Sequence, residues 1–277
     1  MRKIKYPLIV SDFDGTLVND DGTIAENNKA AISAYIQAGG KFAISTGRMP
    51  AGILARAREL GLKGVVCCCQ GANIMEIESG EMLMEGRISP EITYEICKKM
   101  EELGLHIHVY DAWDFYCNMD DEALKLYEKA VRTKGKLVLD KPISEFVKEQ
   151  KLGAYKVLAM VEPKDNARIF AALTEADFAG CETTKSAAFL VEVVNKNYSK
   201  GTAVEYLATR YGVDLERVIA IGDQINDQPM IERVGLGIAV KNADDALKEI
   251  ADLVCEYTNE EGAVGKIIEK YAYEENE

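Results

Sequence analysis

Two histidines, one tryptophan and six prolines are spread over 277 residues. Two histidines are too few for most histidine-based metal centres. His106 and His108, which alternate along a strand-like run, do not by themselves point to one. With so little proline, no low-complexity tract and no repeat at solenoid spacing, the composition is that of an ordinary globular protein long enough for two domains. Cysteine occurs seven times, an odd number, and never as C-x-x-C. That pattern speaks against a disulfide framework and for reduced thiols acting as small buried hydrophobes, Cys67, Cys68 and Cys69 among them. No apolar run approaches the length of a membrane span. The run that follows the basic stretch Met1 to Lys5 and Pro7 is only Leu8, Ile9 and Val10, too short for a signal peptide. A cytoplasmic protein with no membrane partner is therefore expected. Positive charge is also scarce: 33 Lys and Arg stand against 46 Asp and Glu, a formal net charge of −13. Such a balance argues against a nucleic-acid backbone as partner.

The stretch LIVSDFDGTLVN at residues 8–19 is the strongest local signal. A continuous apolar run of the kind found in strands buried on both faces ends in Asp12 and Asp14, with Gly15 permitting a turn. In open α/β sheets ligands gather beyond the carboxyl ends of strands, so both carboxylates sit where chemistry is expected. A helix over 25–38 follows, with Ala30, Ala31, Ala34, Tyr35 and Ala38 on one side. Strands over 41–45 and 65–69 flank a second helix, which predicts a parallel, doubly wound α/β sheet. The rhythm changes near Glu85. Residues 86–194 read as an α+β domain inserted into the first, with a helix after Ser89-Pro90, a hairpin over 105–118, a helix from Glu122, and strands over 154–161 and 188–194. Tyr110, Trp113, Phe115 and Tyr116 are expected to be mostly core. The α/β rhythm resumes with a helix from Lys200 and a buried strand over 218–221 that runs into Gly222-Asp223-Gln224-Ile225-Asn226-Asp227. The first domain is thus expected to comprise residues 1–85 and 195–277.

Four loops at strand ends or helix starts now carry polar groups: D-x-D-G-T-L at 12–17, Thr46-Gly47-Arg48, Lys200-Gly201, and G-D-x-x-N-D at 222–227. In this order and spacing the chain resembles the haloacid dehalogenase superfamily phosphatases, and its insert resembles the C2-type cap of the Cof-like subgroup. The resemblance implies a Rossmann-like core, Mg2+ as cofactor, and hydrolysis of small phosphomonoesters such as sugar phosphates through an aspartyl-phosphate. It implies that Asp12 is the nucleophile and Asp14 the general acid and base. Thr46, Gly47, Lys200 and Asn226 would hold the phosphoryl oxygens. The metal would take the carboxylates of Asp12 and Asp223 and the main-chain carbonyl of Asp14, with Asp227 an outer or occasional direct partner. The implied partner is a small phosphorylated metabolite. A phosphotransferase or mutase using the same aspartyl-phosphate, or a non-catalytic phospholigand-binding protein, would use the same motifs. The turn after the third strand reads Gln70-Gly71-Ala72-Asn73 where the subgroup usually has Asn-Gly-Ala. In Val240-Lys241-Asn242-Ala243 a Lys stands where the family tends to have Gly.

Overall fold

The computed structural model describes residues 2–131 and 133–274. By contact they divide into two units, one made of the chain up to Gly47, Leu54–Met84 and the chain from Tyr198 on, the other of Arg48–Ile53 and Glu85–Asn197.

In the first unit the continuous apolar runs become the centre of an eight-stranded sheet. The strand Leu8–Asp12 is buried at every position. It lies between Val218–Gly222 and Lys41–Ser45 and runs parallel to both, with Leu8 opposite Val218 on one side and Lys41 on the other. Val65–Cys68 extends the sheet beyond Lys41–Ser45, and Leu236–Ala239 and Leu253–Val254 extend the opposite side, all parallel. Asn73–Glu76 turns back antiparallel on Val65–Cys68, and Met82–Glu85 forms the edge. Strand order reverses at Leu8–Asp12, because the chain next forms Lys41–Ser45 on one side and only much later Val218–Gly222 on the other. A crevice at the carboxyl ends is the usual result of such a switch point. Asp12, Ser45 and Gly222 are the residues that end these three strands.

The helix Glu26–Gln37 buries Asn28, Ala31, Ile32 and Tyr35. Ala31 and Tyr35 are on the expected face, but Ala30 and Ala34 are exposed. Tyr35 decides the orientation: its ring is fully buried, and its hydroxyl donates to the carbonyl of Tyr6 at 2.7 Å. An aromatic body with a satisfied polar tip gains more from burial than a row of alanines does.

The second unit is built on a six-stranded sheet, in the order Cys181–Ala187, Leu190–Asn195, Lys156–Met160, His106–Tyr110, Phe115–Cys117 and Lys136–Leu137. Neighbouring strands are antiparallel except for the last pair. Alternate residues Ile107, Val109, Val157, Ala159, Val191 and Val193 share a core with Ile96, Cys97 and Met100 of the helix Pro90–Glu102, Ile143 and Val147 of Ile143–Gln150, and Ile169 and Leu173 of Asn166–Glu175. The opposite face carries the rings of His106, His108 and Tyr110: His108 packs against His106, Phe115 and Tyr127, and Tyr110 stacks on Phe115. Tyr110 and Phe115 are therefore core, whereas Trp113 is exposed. Ser89 caps the helix Pro90–Glu102, accepting from the N–H of Ile92 at 3.3 Å with Pro90 at the first helical position, where a missing N–H costs nothing. Where the chain enters and leaves this unit its ends are adjacent: the Asn195 side-chain amide donates to the carbonyl of Arg87 at 3.2 Å. Among the described residues no helix is long and apolar enough to cross a membrane.

Candidate active site

Asp12 ends the central strand of the first unit and is almost fully buried, while Asp14, two residues on, is exposed. From Phe13 on the loop closes tightly, with the N–H groups of Leu17 and Val18 both donating to the carbonyl of Phe13. Gly15 sits in the left-handed region at φ +80°, and a Cβ built there would lie 2.5 Å from Asp223 Oδ2. Only glycine meets both demands. Asp223 follows the neighbouring strand. Its Oδ1 accepts from the buried hydroxyl of Thr16 at 2.7 Å and its Oδ2 from the Gln224 side-chain amide at 3.3 Å.

Asp227 lies four residues further on and is completely buried. Its Oδ2 accepts the backbone N–H groups of Asp223 and Gln224 at 2.9 and 3.1 Å. Its Oδ1 is 2.6 Å from Lys200 Nζ, and a Cβ on Gly222 would meet the same side chain at 2.5 Å.

Lys200 is the first residue of the helix Lys200–Tyr211, held there by a reciprocal cap between Ser199 and Thr202. A cation at a helix N-terminus opposes the helix dipole, and Lys200 is also 98% buried (2% exposed). Carboxylates compensate for both costs: Lys200 Nζ is 2.5 Å from Asp12 Oδ1 as well as 2.6 Å from Asp227 Oδ1. Burial works against the ammonium, yet Asp12 and Asp227 hold its pKa above the ordinary lysine value.

Asp12, Asp223 and Asp227 each bring an oxygen within 4.8 Å of the others. One ammonium does not balance three carboxylates. Burial pushes the Asp12 carboxyl well above the usual carboxylate range against the pull of Lys200, and Asp227 and Asp223 add to the rise. Asp223 is raised for the same first reason. Buried like charges at this separation call for a cation, and an all-oxygen donor set suits a hard divalent ion. Asp227 is engaged on both oxygens by Lys200 and backbone N–H groups, which fixes the loop 222–227, whereas Asp223 accepts from a neutral hydroxyl and a neutral amide rather than from an ammonium.

The remaining sequence-derived positions lie on the adjoining loops. Thr46 is buried and follows the strand Lys41–Ser45, with its N–H donating to the carbonyl of Cys67 at 2.8 Å. Gly47 lies beneath Gln70, since a Cβ there would be 2.7 Å from Gln70 Nε2. Asn226 is exposed, and its side-chain amide donates to Gln70 Oε1 at 3.3 Å. Arg48 groups with the second unit, and Lys241 is exposed. Two supporting residues escape a sequence reading: Thr16, although it lies within D-x-D-G-T, and Asn242, whose amide donates to the carbonyl of Gly15 at 2.8 Å. His106 and His108 bring their Nε2 atoms within 3.1 Å of each other on the second unit's sheet.

Known proteins resemble this chain over nearly its whole length. Residues 9–268 match the family described as haloacid dehalogenase-like hydrolase. A protein of Haemophilus influenzae, provisionally named a phosphatase, is 30% identical over 266 residues, covering 96% of this chain and 98% of its own. YitU of Bacillus subtilis, named a 5-amino-6-(5-phospho-D-ribitylamino)uracil phosphatase, is 27% identical over 95% of this chain and 97% of its own. Among solved structures, TM0651 of Thermotoga maritima superposes with a TM-score of 0.86 at 27% identity, covering 97% of this chain and 98% of that one.

Proposed function

Because the chain belongs to the haloacid dehalogenase-like hydrolases and is a phosphatase of that family, we propose that it hydrolyses small phosphomonoesters, sugar phosphates or similar metabolites, with Mg2+ as cofactor and Asp12 as nucleophile. The observation that carries this reading is the convergence of Asp12, Asp223, Asp227 and Lys200 at the strand switch point. Asp12 and Asp223, with the main-chain carbonyl of Asp14, would hold the ion. When bound it offsets the charge of the carboxylates and of the phosphoryl oxygens.

An Asp12 oxygen attacks phosphorus and forms an acyl phosphate as the bond from phosphorus to the ester oxygen breaks. Asp14 donates its proton to that departing oxygen. It then accepts a proton from the water that attacks phosphorus, which releases inorganic phosphate and restores Asp12. The different surroundings of the two carboxyls support separate roles: Asp12 is buried against an ammonium, and Asp14 is exposed to the solvent with which a proton carrier must exchange. Lys200 supplies a compact positive charge to the phosphoryl oxygens. The Thr46 hydroxyl, the Gly47 N–H and the Asn226 amide complete their cradle. The segment 86–194 acts as the specificity domain, since groups that recognise only phosphate and metal cannot tell one ester from another. YitU's name, which specifies a phosphorylated ribityl compound, supports the sugar-phosphate-like class.

Asp12→Asn tests the reading. Hydrolysis of p-nitrophenyl phosphate with Mg2+ should fall by at least about a thousandfold, the order expected on losing a covalent nucleophile, and a chelator should abolish wild-type turnover. Normal turnover by Asp12→Asn would overturn it.

A further inference from the structure

The turn Cys69–Gly71 is unusual in its backbone and in what it touches. Cys69, Gln70 and Gly71 have φ of 50°, 59° and 95°, three successive residues in the left-handed region, two of them carrying side chains that disfavour it. Strain of this kind persists where surrounding structure imposes it. Here the surroundings are three of the four motif loops. The Gln70 N–H donates to the carbonyl of Thr46 at 3.1 Å, and its Nε2 overlies Gly47. Its Oε1 accepts from Asn226, 156 residues away in sequence, at 3.3 Å. Gly71 leaves no room for a Cβ against the carbonyl of Ser199, the cap residue that precedes Lys200.

We propose that Gln70 is a positioning residue for the phosphoryl pocket, its side-chain amide locking Asn226 over the Thr46-Gly47 loop so that both present donors to the same oxygens. The inference rests on the phosphatase reading above. The length of the side chain is the decisive property. Asparagine suits a left-handed backbone better than glutamine does, but it is shorter by one methylene, about 1.5 Å. That would take the contact with Asn226 beyond hydrogen-bonding distance. In Gln70, reach outweighs backbone comfort.

A double-mutant cycle on Gln70→Asn and Asn226→Ala tests this in the full chain, with Mg2+ present. Three quantities are read: kcat and KM for p-nitrophenyl phosphate, the affinity for inorganic phosphate by calorimetry, and Tm. Gln70→Asn should raise KM and weaken phosphate binding about fivefold, as expected for one neutral hydrogen bond, with kcat changed less and Tm equal or higher. The double variant should be no worse than Asn226→Ala alone, because Gln70 acts through Asn226. Wild-type phosphate affinity in Gln70→Asn, losses that multiply in the double variant, or a wild type that does not bind phosphate would each overturn the proposal. A wild type that binds phosphate but hydrolyses no ester would defeat the phosphatase reading alone, and the calorimetric cycle would still decide the role of Gln70.

Discussion

Lys200 is worth the most scrutiny of any single residue in the site, because its ammonium meets two buried carboxylates at once. Replacing it with methionine keeps the bulk and removes the charge. Breaking a buried ion pair from one side typically costs about 3–5 kcal/mol, though protonation of Asp12, already favoured by its burial, offsets part of this. Lys200→Met is therefore expected to lose about 2–3 kcal/mol in urea unfolding and at least about a hundredfold in hydrolysis of p-nitrophenyl phosphate. Lys200→Arg should not restore activity, since a planar guanidinium does not fit a space made for a compact ammonium. A variant with wild-type kinetics would show that Lys200 serves only the fold. The positions of Asp12, Lys200, Asp223 and Asp227 at one strand switch point could be anticipated because each follows or precedes a segment whose periodicity is plain. The contacts of Thr16 with Asp223, of Asn242 with Gly15 and of Gln70 with Asn226 could not. Each joins loops far apart in sequence and depends on the path of a turn, which no local pattern specifies.

At the scale of elements, buried runs such as Leu8–Val10 and Val218–Ile221 announce themselves, whereas elements with weak patterns do not. The strand Cys181–Ala187, CETTKSA, is a polar edge strand, and its partner Leu190–Asn195 alone has the apolar run that marks a strand. The helix Ile143–Gln150 has eight residues and ends at Lys151 in a left-handed conformation, too short for periodicity to distinguish it from a loop. The strand His106–Tyr110 shows how an element can carry a chemical consequence as well. Burial, then His106 and Lys156 nearby, push the His108 pKa down to about 3. His108 is thus neutral in the folded protein, while in the unfolded chain it takes up a proton near its ordinary value of about 6.5. Below that pH the unfolded state binds the extra proton, so stability falls as pH drops from about 6.5 towards 3, by up to about 1.4 kcal/mol per unit, and is indifferent to this group above 6.5. By pH 5 the loss reaches about 2 kcal/mol. Trp113, the sole tryptophan and a member of the same unit, provides the signal. Urea unfolding followed by its fluorescence should show that His108→Leu removes about 2 kcal/mol of the difference between pH 7 and pH 5. An unchanged difference would rule out the neutral buried histidine as its source.

For the whole molecule, the proposed site and the inserted segment fall in different units. Asp12, Asp14, Thr46, Gly47, Gln70, Lys200, Asp223, Asn226 and Asp227 all belong to the first unit. With a formal charge of −13 overall and three carboxylates brought together at the strand ends, an anionic ester would be repelled without local cations, and the Lys200 ammonium supplies one. The second unit has the attributes of an independent domain: its own core of Ile96, Ile107, Val109, Val147, Val157, Ile169 and Val193, and adjacent ends at Arg87 and Asn195. A fragment of residues 85–197 lacks Arg48–Ile53, with the buried Met49 and Ile53 and the hydrogen bond from the Ala51 N–H to the carbonyl of Ala112 at 3.2 Å. It keeps the whole of that core, and a domain of this size is normally stable by several kcal/mol. Residues 85–197 expressed alone should therefore unfold in one cooperative step by Trp113 fluorescence and circular dichroism. The fragment should also bind no Mg2+ by calorimetry and hydrolyse no p-nitrophenyl phosphate. A fragment without a cooperative transition would show that the insert depends on the first unit for its fold, and phosphatase activity in the fragment would place the chemistry outside the Asp12 crevice.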